Sequence, residues 1–237
     1  MNSPPEPTLV DLDGEVDDLR ALEAVAPACD CTIGSGPGQK FGWLSGPMLD
    51  AAATPQQARD SARKLLVRLN GLARLQNHQH RNVDLANEVW QNGSRHTASS
   101  QWRPRAGSRM TIASSPLTGA PATPPIDPRC KRLATDPKLA EIVEVFSEEM
   151  SWQRSRNAFE KIRALVGKGD NALVKHRYAT QAELDDFKHN AQDPRHSGAR
   201  AVHGVPNGPL KGNKMTEREG TDFVVGLLNK YLEKNSP

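Results

Sequence analysis

The sequence is poor in aromatic residues, in cysteine and in long apolar runs. Aromatic residues make up 5% of the 237 residues, and there are three cysteines. So few cysteines in a chain of this length argue against the disulfide framework of a small secreted domain. No run approaches the roughly eighteen apolar residues of a membrane-spanning helix, and the start of the chain lacks the basic and apolar regions of a secretory signal. We therefore expect a cytoplasmic protein that does not enter a membrane.

The common catalytic and cofactor motifs are also missing. The sequence contains no GxSxG elbow, HExxH helix or kinase signature. The glycine-rich residues 34–46 match neither the GxxxxGK[ST] pattern nor a dinucleotide fingerprint, so we expect a flexible turn with room for a short strand near residues 41–44. Cys29, Cys31 and Cys130 lack an evident fourth ligand. The sequence therefore predicts no metal site and no cofactor.

Charge is distributed unevenly, although the formal net charge is only +3. Residues 1–30 carry eight acidic side chains against Arg20 alone, whereas residues 31–112 carry eleven basic and four acidic side chains. A basic middle part can attract nucleic acid or another anionic surface. The charges are scattered rather than clustered, which favours the alternative that the acidic start packs against the basic part and cancels its field.

The first part of the chain has the pattern of an α+β domain. Residues 9–25 predict a short strand followed by a helix. Thr54-Pro55-Gln56-Gln57 is a capping box that opens a long amphipathic helix. Residues 83–112 predict two or three strands, with Asn92-Gly93 as a tight hairpin turn. The basic side chains of the long helix lie largely off its apolar stripe and are expected to be solvated: Arg59, Arg63, Lys64, Arg68 and Arg74.

The second part of the chain is predicted to be a helical bundle. Residues 114–127 have the proline and small polar residues of a linker. Asp136, Thr180 and Thr216 stand at N-cap positions before amphipathic stretches, and about four principal helices with short connections predict a compact bundle. The fold class is therefore α+β. The predicted division is a disordered tail over 1–7, a small mixed α/β domain over 8–112, a Pro-rich linker over 113–135 and an all-α domain over 136–237.

The densest group of chemically active side chains lies between Lys188 and Gly204. Three imidazoles there could bind zinc, but no cysteine or paired carboxylate stands at ligand spacing nearby. Pro194 and Gly198 also argue against one continuous helix that would place the histidines on one face. The alternative is a surface loop whose side chains bind helix ends and nearby acids. The group comprises His189, Arg195, His196, Arg200 and His203.

An arginine and a histidine within a helical bundle resemble the HEPN domains, in which such a pair supports metal-free RNA cleavage. Histidine can move the proton of a 2′-hydroxyl group, and arginine can stabilise the charge on the phosphate. The resemblance implies catalytic roles for Arg195, Arg200, His203 and the adjacent His196, with Glu160 on a partner helix. Neither arginine stands at the family's spacing from His203.

Longer segments of the chain resemble a group of uncharacterised two-domain bacterial proteins. The similar segments read ARKLLVRLNGLARL, FEKIRALVGKG and ATQAELDDFKHNAQDP, with SGARAVHG after them. The likeness spans most of residues 40–235. It implies a two-domain organisation and carries no activity with it.

Tryptophan and arginine occur together in the middle of the chain. Trp90 and Trp102 flank a basic stretch, a combination with which single-stranded nucleic-acid binders stack bases and contact phosphates. In a chain with so few aromatic residues, tryptophans also serve as anchors of the core or of a domain interface. The residues predicted to contact nucleic acid are Arg95, Trp102, Arg103 and Arg105.

Two classes of function remain open from the sequence. The first is a non-catalytic binding or regulatory protein whose helical bundle engages another protein of unknown identity. It is favoured because no complete catalytic constellation can be written from the residues. The second is a HEPN-like, metal-independent RNase or toxin of a bacterial stress or defence system, with RNA as its partner and Arg195, Arg200 and His203 as its working residues. A homodimer fits either class, and neither class requires a membrane.

Overall fold

The first part of the chain folds into a five-stranded antiparallel sheet with the order β2-β3-β1-β4-β5. The computed structural model describes residues 6–35, 41–97, 128–167, 169–192 and 212–235. The strands are β1 (Leu9–Asp13), β2 (Thr32–Ser35), β3 (Phe41–Ser45), β4 (Asp84–Gln91) and β5 (Ser94–Thr97).

Helices make up most of the remaining described residues. In the first part they are α1 (Val16–Val25), which runs into a short 3-10 turn (Ala26–Cys29), then α2 (Pro47–Asp50) and α3 (Pro55–Gln76). In the second part they are α4 (Pro128–Thr135), α5 (Pro137–Val145), α6 (Trp152–Val166), α7 (Asp170–Lys175), α8 (Gln181–Gln192) and α9 (Glu217–Lys234).

Local sequence signals explain many of these boundaries. Asn92 and Gly93 have φ values of 52° and 71°, the left-handed conformations that a two-residue hairpin turn requires, so the predicted turn between β4 and β5 is confirmed. The Thr54 side chain accepts a hydrogen bond from the Gln57 backbone N–H and begins α3. At α9, the Thr216 and Glu219 side chains satisfy each other's backbone N–H groups, which is the capping box predicted there.

Helices α1 and α3 pack on one face of the sheet. Val10 and Leu12 point towards them and are fully buried, as is the cross-strand partner Leu44. Because successive residues of a strand point to opposite faces, the alternate residues lie on the other face, which we call the outer face. Within the described residues, its larger side chains are Leu9, Asp11, Asp13, Phe41, Trp43, Asp84, Glu88, Trp90 and Arg95.

The short strand expected near residues 41–44 of the glycine-rich segment is present as β3, and the segment also contributes to a strand that the sequence did not predict. Residues 32–35 form β2, which pairs with β3 over four residue pairs. Gly34 faces Trp43, and a Cβ atom added at Gly34 would lie 2.2 Å from the Trp43 ring. The glycine is therefore required by the close approach of the indole ring, a contact that composition alone does not indicate. Residues 36–40 lie outside the described part of the chain.

The prediction that all basic side chains of α3 are solvated is wrong for Arg59 and Arg74. Their exposed fractions are 8% and 7%. Arg59 donates a hydrogen bond to the Ala86 carbonyl oxygen at 2.6 Å, close to the register shift between β1 and β4. Arg74 donates to the carbonyl oxygens of His80 and Phe146. Both guanidinium groups satisfy buried backbone oxygens that tertiary folding brings to α3.

The later helices pack around an aromatic core. Phe159 and Phe187 lie 5.1 Å apart between ring centroids, and Trp152 and Phe223 pack against Phe187 at 6.1 and 5.2 Å. Asp136 caps α5 and Ser151 caps α6 with side-chain hydrogen bonds to backbone N–H groups. The predicted helical bundle is thus present in the described residues, with α5, α6, α8 and α9 as its principal helices.

Helix α5 lies directly against α3, so the two parts of the chain are in contact. A Cβ atom added at Gly71 of α3 would lie 2.2 Å from the Val143 carbonyl oxygen of α5. One continuous cluster of buried apolar side chains includes residues from both parts. Helix α4 occupies the end of the range 113–135 that the sequence assigns to a linker, and residues 98–127 lie outside the described part of the chain.

The α+β fold class predicted from the sequence is confirmed. The division into two domains stays a prediction. Within the described residues, no helix is long and apolar enough to cross a membrane.

Candidate functional site

Most of the residues predicted to carry function lie outside the described part of the chain. Arg195, His196, Arg200 and His203 fall between α8 and α9 in the range 193–211. Trp102, Arg103 and Arg105 fall in the range 98–127. Their predicted roles therefore stay predictions. The structure describes Arg95, and it describes the residues that flank the range 193–211.

Two polar side chains of α8 hold together the residues that flank the range 193–211. They are Asn190, which is buried, and Asp186, which is half-buried. Asn190 of α8 is fully buried, and its amide nitrogen donates to the Asn213 carbonyl oxygen at 2.6 Å. Its amide oxygen accepts from the Met215 backbone N–H at 2.8 Å. Asp186 accepts from the Asn213 backbone N–H at 2.9 Å. We call these four residues the α8 clasp. It fixes where the chain leaves α8 and where it returns before α9.

A separate network of charged side chains joins α6, the start of α7 and α8. Glu160 lies 2.7 Å from Arg156 and also pairs with Arg163. Asp170 pairs with Arg163 at 3.3 Å and with Lys188. Burial lowers the pKa of Lys188, and the nearby Arg156 and Arg163 act in the same direction. Three cations therefore share two carboxylates at a partly buried position, which leaves a local excess of positive charge.

Arg95 lies on the outer face at β5, in an acidic setting. Its guanidinium group forms an ion pair with Glu88 and lies 5.8 Å from the centroid of the Trp90 ring. Asp11 is a further neighbour. Burial raises the pKa of Asp11, and both the Arg95 charge and the Trp90 side chain oppose that increase. Arg95 is therefore already engaged with a carboxylate and an indole, and phosphate would have to compete with both.

A cleft opens where the loop after α3 meets the connection between α5 and α6 and the start of α9. Its volume is ≈ 770 Å³, within the range of about 300–1,000 Å³ that is usual for ligand pockets. Residues 78–82 form one wall, Glu149 and Met150 form the second, and the first turns of α9 form the third. Most of this lining is polar or charged.

The rim of the cleft combines a histidine, a carboxylate and two arginines. His78 Nε2 lies 3.4 Å from Asp222 Oδ1, and these side chains are 38% and 48% exposed. Arg218 lies 3.9 Å from the other oxygen of Asp222 and is largely exposed. Arg81 is exposed on the opposite wall. Charged side chains of both signs are thus accessible at the rim.

The floor of the cleft is a buried polar network. The His80 side chain has no exposed surface, and its Nε2 lies 3.0 Å from the Asn70 amide oxygen. That oxygen can only accept, so Nε2 carries the hydrogen. Nδ1 lies 3.2 Å from Asp18 of α1. Burial lowers the pKa of His80, as does Arg74, whereas Asp18 opposes the decrease. The network fixes the 77–82 loop to both α1 and α3.

Sequence reasoning missed this cleft altogether. The motif His78-Gln79-His80-Arg81 directly follows a long capped helix, and its density of imidazole and guanidinium groups was the available signal. Nothing in the sequence places it beside Asp222, about 140 residues later, because only helix packing brings α9 to the 77–82 loop.

Chemically, the cleft is suited to binding charged groups. Its arginines can hold carboxylates or phosphates, and its carboxylates can hold basic side chains. Within the described ranges, no cluster of three or more histidine, cysteine, aspartate or glutamate side chains is arranged to hold a metal ion. No family model matches the chain, and no curated protein or solved structure is significantly similar to it.

Proposed function

We propose that the chain is a non-catalytic binding and regulatory protein of bacterial type, acting in the cytoplasm, whose helical second part engages another protein. The cleft beside α9 is the observation that carries this proposal. It presents exposed arginines and carboxylates above a buried polar floor, and two of its three walls belong to the helical part: Glu149 and Met150 before α6, and the first turns of α9.

The character of the cleft indicates the kind of segment that fits. Arginine is enriched at protein–protein interfaces because its planar group binds carboxylates in two-point contacts. Arg81 and Arg218 stand on different walls, and the lining also contains the carboxylates of Asp222 and Glu149. A charged loop or helix end of a partner, with side chains of both signs, complements this arrangement.

The test is affinity capture from a lysate of the source cells, with purified wild-type protein and two double variants. Arg81→Ala/Arg218→Ala removes the cleft arginines. Arg20→Ala/Arg63→Ala removes two arginines that are 66% and 62% exposed on α1 and α3. We expect a protein captured by the wild type and by the second variant to be lost with the cleft variant, and to bind directly once purified.

Equal capture by the cleft variant would contradict the cleft as the binding surface. If the folded wild-type protein captures no protein at all, the binding function itself is contradicted. Circular dichroism of all three proteins supplies the folding control, because both substitutions remove exposed side chains.

The α8 clasp favours a second candidate, the HEPN-like RNase. It joins the two ends of the range that contains Arg195, Arg200 and His203, and the same helical part carries the network of three cations and two carboxylates on α6, α7 and α8. A site for RNA cleavage needs positive charge to hold the phosphate and a stable base for the catalytic groups. The network's net positive charge and the clasp's hydrogen bonds support this candidate on those two points.

The second candidate is tested by incubating the purified protein with labelled total RNA in EDTA. We expect cleavage by the wild type that is lost in Arg200→Ala and in His203→Ala, but kept in His176→Ala, which removes an exposed histidine after α7. Intact RNA after incubation with the wild type would contradict the RNase, and cleavage by all variants would indicate a contaminant.

A further inference from the structure

The outer face of the sheet combines exposed aromatic rings with carboxylates. Phe41 is 57% exposed, and Trp43 and Trp90 are half-buried on the same face. Within the described residues, α1 and α3 pack on the opposite face of the sheet. Isolated apolar residues are common on protein surfaces, but three aromatic rings on one face indicate a binding surface in a chain with 5% aromatic residues.

Two of these aromatic rings, those of Trp43 and Trp90, pack against groups on the neighbouring strand. Trp43 lies over Gly34 on the neighbouring strand, where any larger residue would collide with the ring. The Arg95 guanidinium group lies over the Trp90 ring, 5.8 Å from the centroid of that ring. Fixed rings of this kind lose little conformational freedom when they contact a ligand. The Arg95–Trp90 contact also shows that a guanidinium group already fits over this face.

Two carboxylates of the outer face stand directly opposite each other on neighbouring strands. Asp13 of β1 stands directly opposite Asp84 of β4, and both are exposed. Like charges at directly opposed positions destabilise a sheet. Asp11 is the next residue of β1 on the same face, and Glu88 follows on β4. Among the described residues of the outer face, Arg95 is the basic side chain, and it already pairs with Glu88.

We propose that the outer face binds an extended, arginine- or lysine-rich segment of a partner protein. Carboxylates attract the charged heads of such a segment, and the indole rings hold them by cation–π contact. The same carboxylates repel phosphate, so this proposal is an alternative to the nucleic-acid contact that the sequence around Arg95 predicts. The proposal concerns a surface separate from the cleft and is independent of the function proposed there.

The probe is a short poly-arginine peptide, with binding measured by isothermal titration calorimetry and by tryptophan fluorescence at low salt. Asp13→Asn/Asp84→Asn removes two charges from the outer face without changing side-chain size. The matched control, Asp17→Asn/Asp60→Asn, removes two charges at positions 98% and 51% exposed on α1 and α3. Single-stranded oligo(dT) is the second probe.

We expect the wild type and the matched control to bind the peptide equally and the outer-face variant to bind it about five- to thirtyfold more weakly. Oligo(dT) is expected not to bind. The proposal is overturned if the two double variants lose affinity equally, since the attraction would then be unspecific. It is also overturned if the wild type binds oligo(dT), or if it binds neither probe because other residues of the chain cover the face.

Discussion

At the scale of single residues, His80 is the side chain with the most restrictive surroundings. It is buried between Asn70 on α3 and Asp18 on α1, and its own carbonyl oxygen accepts two hydrogen bonds from Arg74. Burial lowers its pKa, Arg74 lowers it further, and Asp18 only partly opposes the decrease. The protonated ring is therefore less favourable in the folded protein than in the unfolded chain.

This arrangement predicts a loss of stability in mild acid. The folded-state pKa of His80 lies below the ordinary value of 6.5, so the unfolded chain binds the proton more readily. The stability that the uncharged His80 ring contributes is fully present above pH 6.5. It is lost as the pH falls from 6.5 towards the lower pKa of the folded state. We expect the melting temperature to decrease between about pH 7.5 and about pH 5.5.

Two glutamine variants isolate the role of His80. His80→Gln keeps an amide donor towards Asn70 but cannot titrate, so its melting temperature should change less between the two pH values. His78→Gln alters the half-exposed histidine at the rim of the same cleft and should keep the wild-type change. An undiminished change in His80→Gln would assign the acid sensitivity to other groups.

At the scale of helices and strands, replacing a helical glycine by alanine should have opposite effects on stability at a helix contact and at a free surface. Gly71 lies where α3 touches α5, and an added Cβ atom would lie 2.2 Å from the Val143 carbonyl oxygen. An added Cβ atom at Gly226 of α9 would have no heavy atom within 4 Å, within the part of the chain that the structure describes. Alanine favours a helix over glycine at both positions.

We therefore expect Gly226→Ala to stabilise the protein by about 0.5–1 kcal/mol. Gly71→Ala should destabilise it by about 1–3 kcal/mol, because the two helices must move apart. Urea unfolding of the two variants measures both changes. Stabilisation by Gly71→Ala would show that α3 and α5 do not approach each other as closely as described.

At the scale of the whole molecule, the contact between α3 and α5 joins the sheet to the helical part. Arg74 strengthens this contact, since it donates both to the 77–82 loop and to the end of α5. Buried apolar side chains continue from one part into the other. Parts that share a core in this way unfold together.

We expect a single unfolding transition for the full chain. Far-ultraviolet circular dichroism reports mainly the helices, whereas fluorescence also reports Trp43 and Trp90 on the sheet. The two signals should give the same midpoint, and Gly71→Ala should lower both equally. Two separate transitions would instead support the independent domains that the sequence predicts for residues 8–112 and 136–237.

The candidate site shows how far local patterns reach. The sequence indicates that histidines and arginines follow α3, but the partners that their side chains contact come from distant parts of the chain. His78 pairs with Asp222 of α9, and His80 contacts Asp18 of α1. Arg74 has the periodicity of an exposed residue and is nevertheless buried, because the 77–82 loop and α5 bring carbonyl oxygens to it. Periodicity describes one helix and contains no information about what other segments bring to it.

The sequence by itself determined the α+β class, the β4–β5 hairpin and the starts of α3, α5, α8 and α9. Those features depend on neighbouring residues: a positive φ at Asn92-Gly93, side-chain caps, and apolar side chains repeating with the helical period. Only the tertiary structure decided the strand order, the burial of Arg59 and Arg74, the cleft beside α9 and the acidic, aromatic outer face. Each of these results from segments far apart in the chain coming into contact, and their free energy depends on packing and burial that no local pattern specifies.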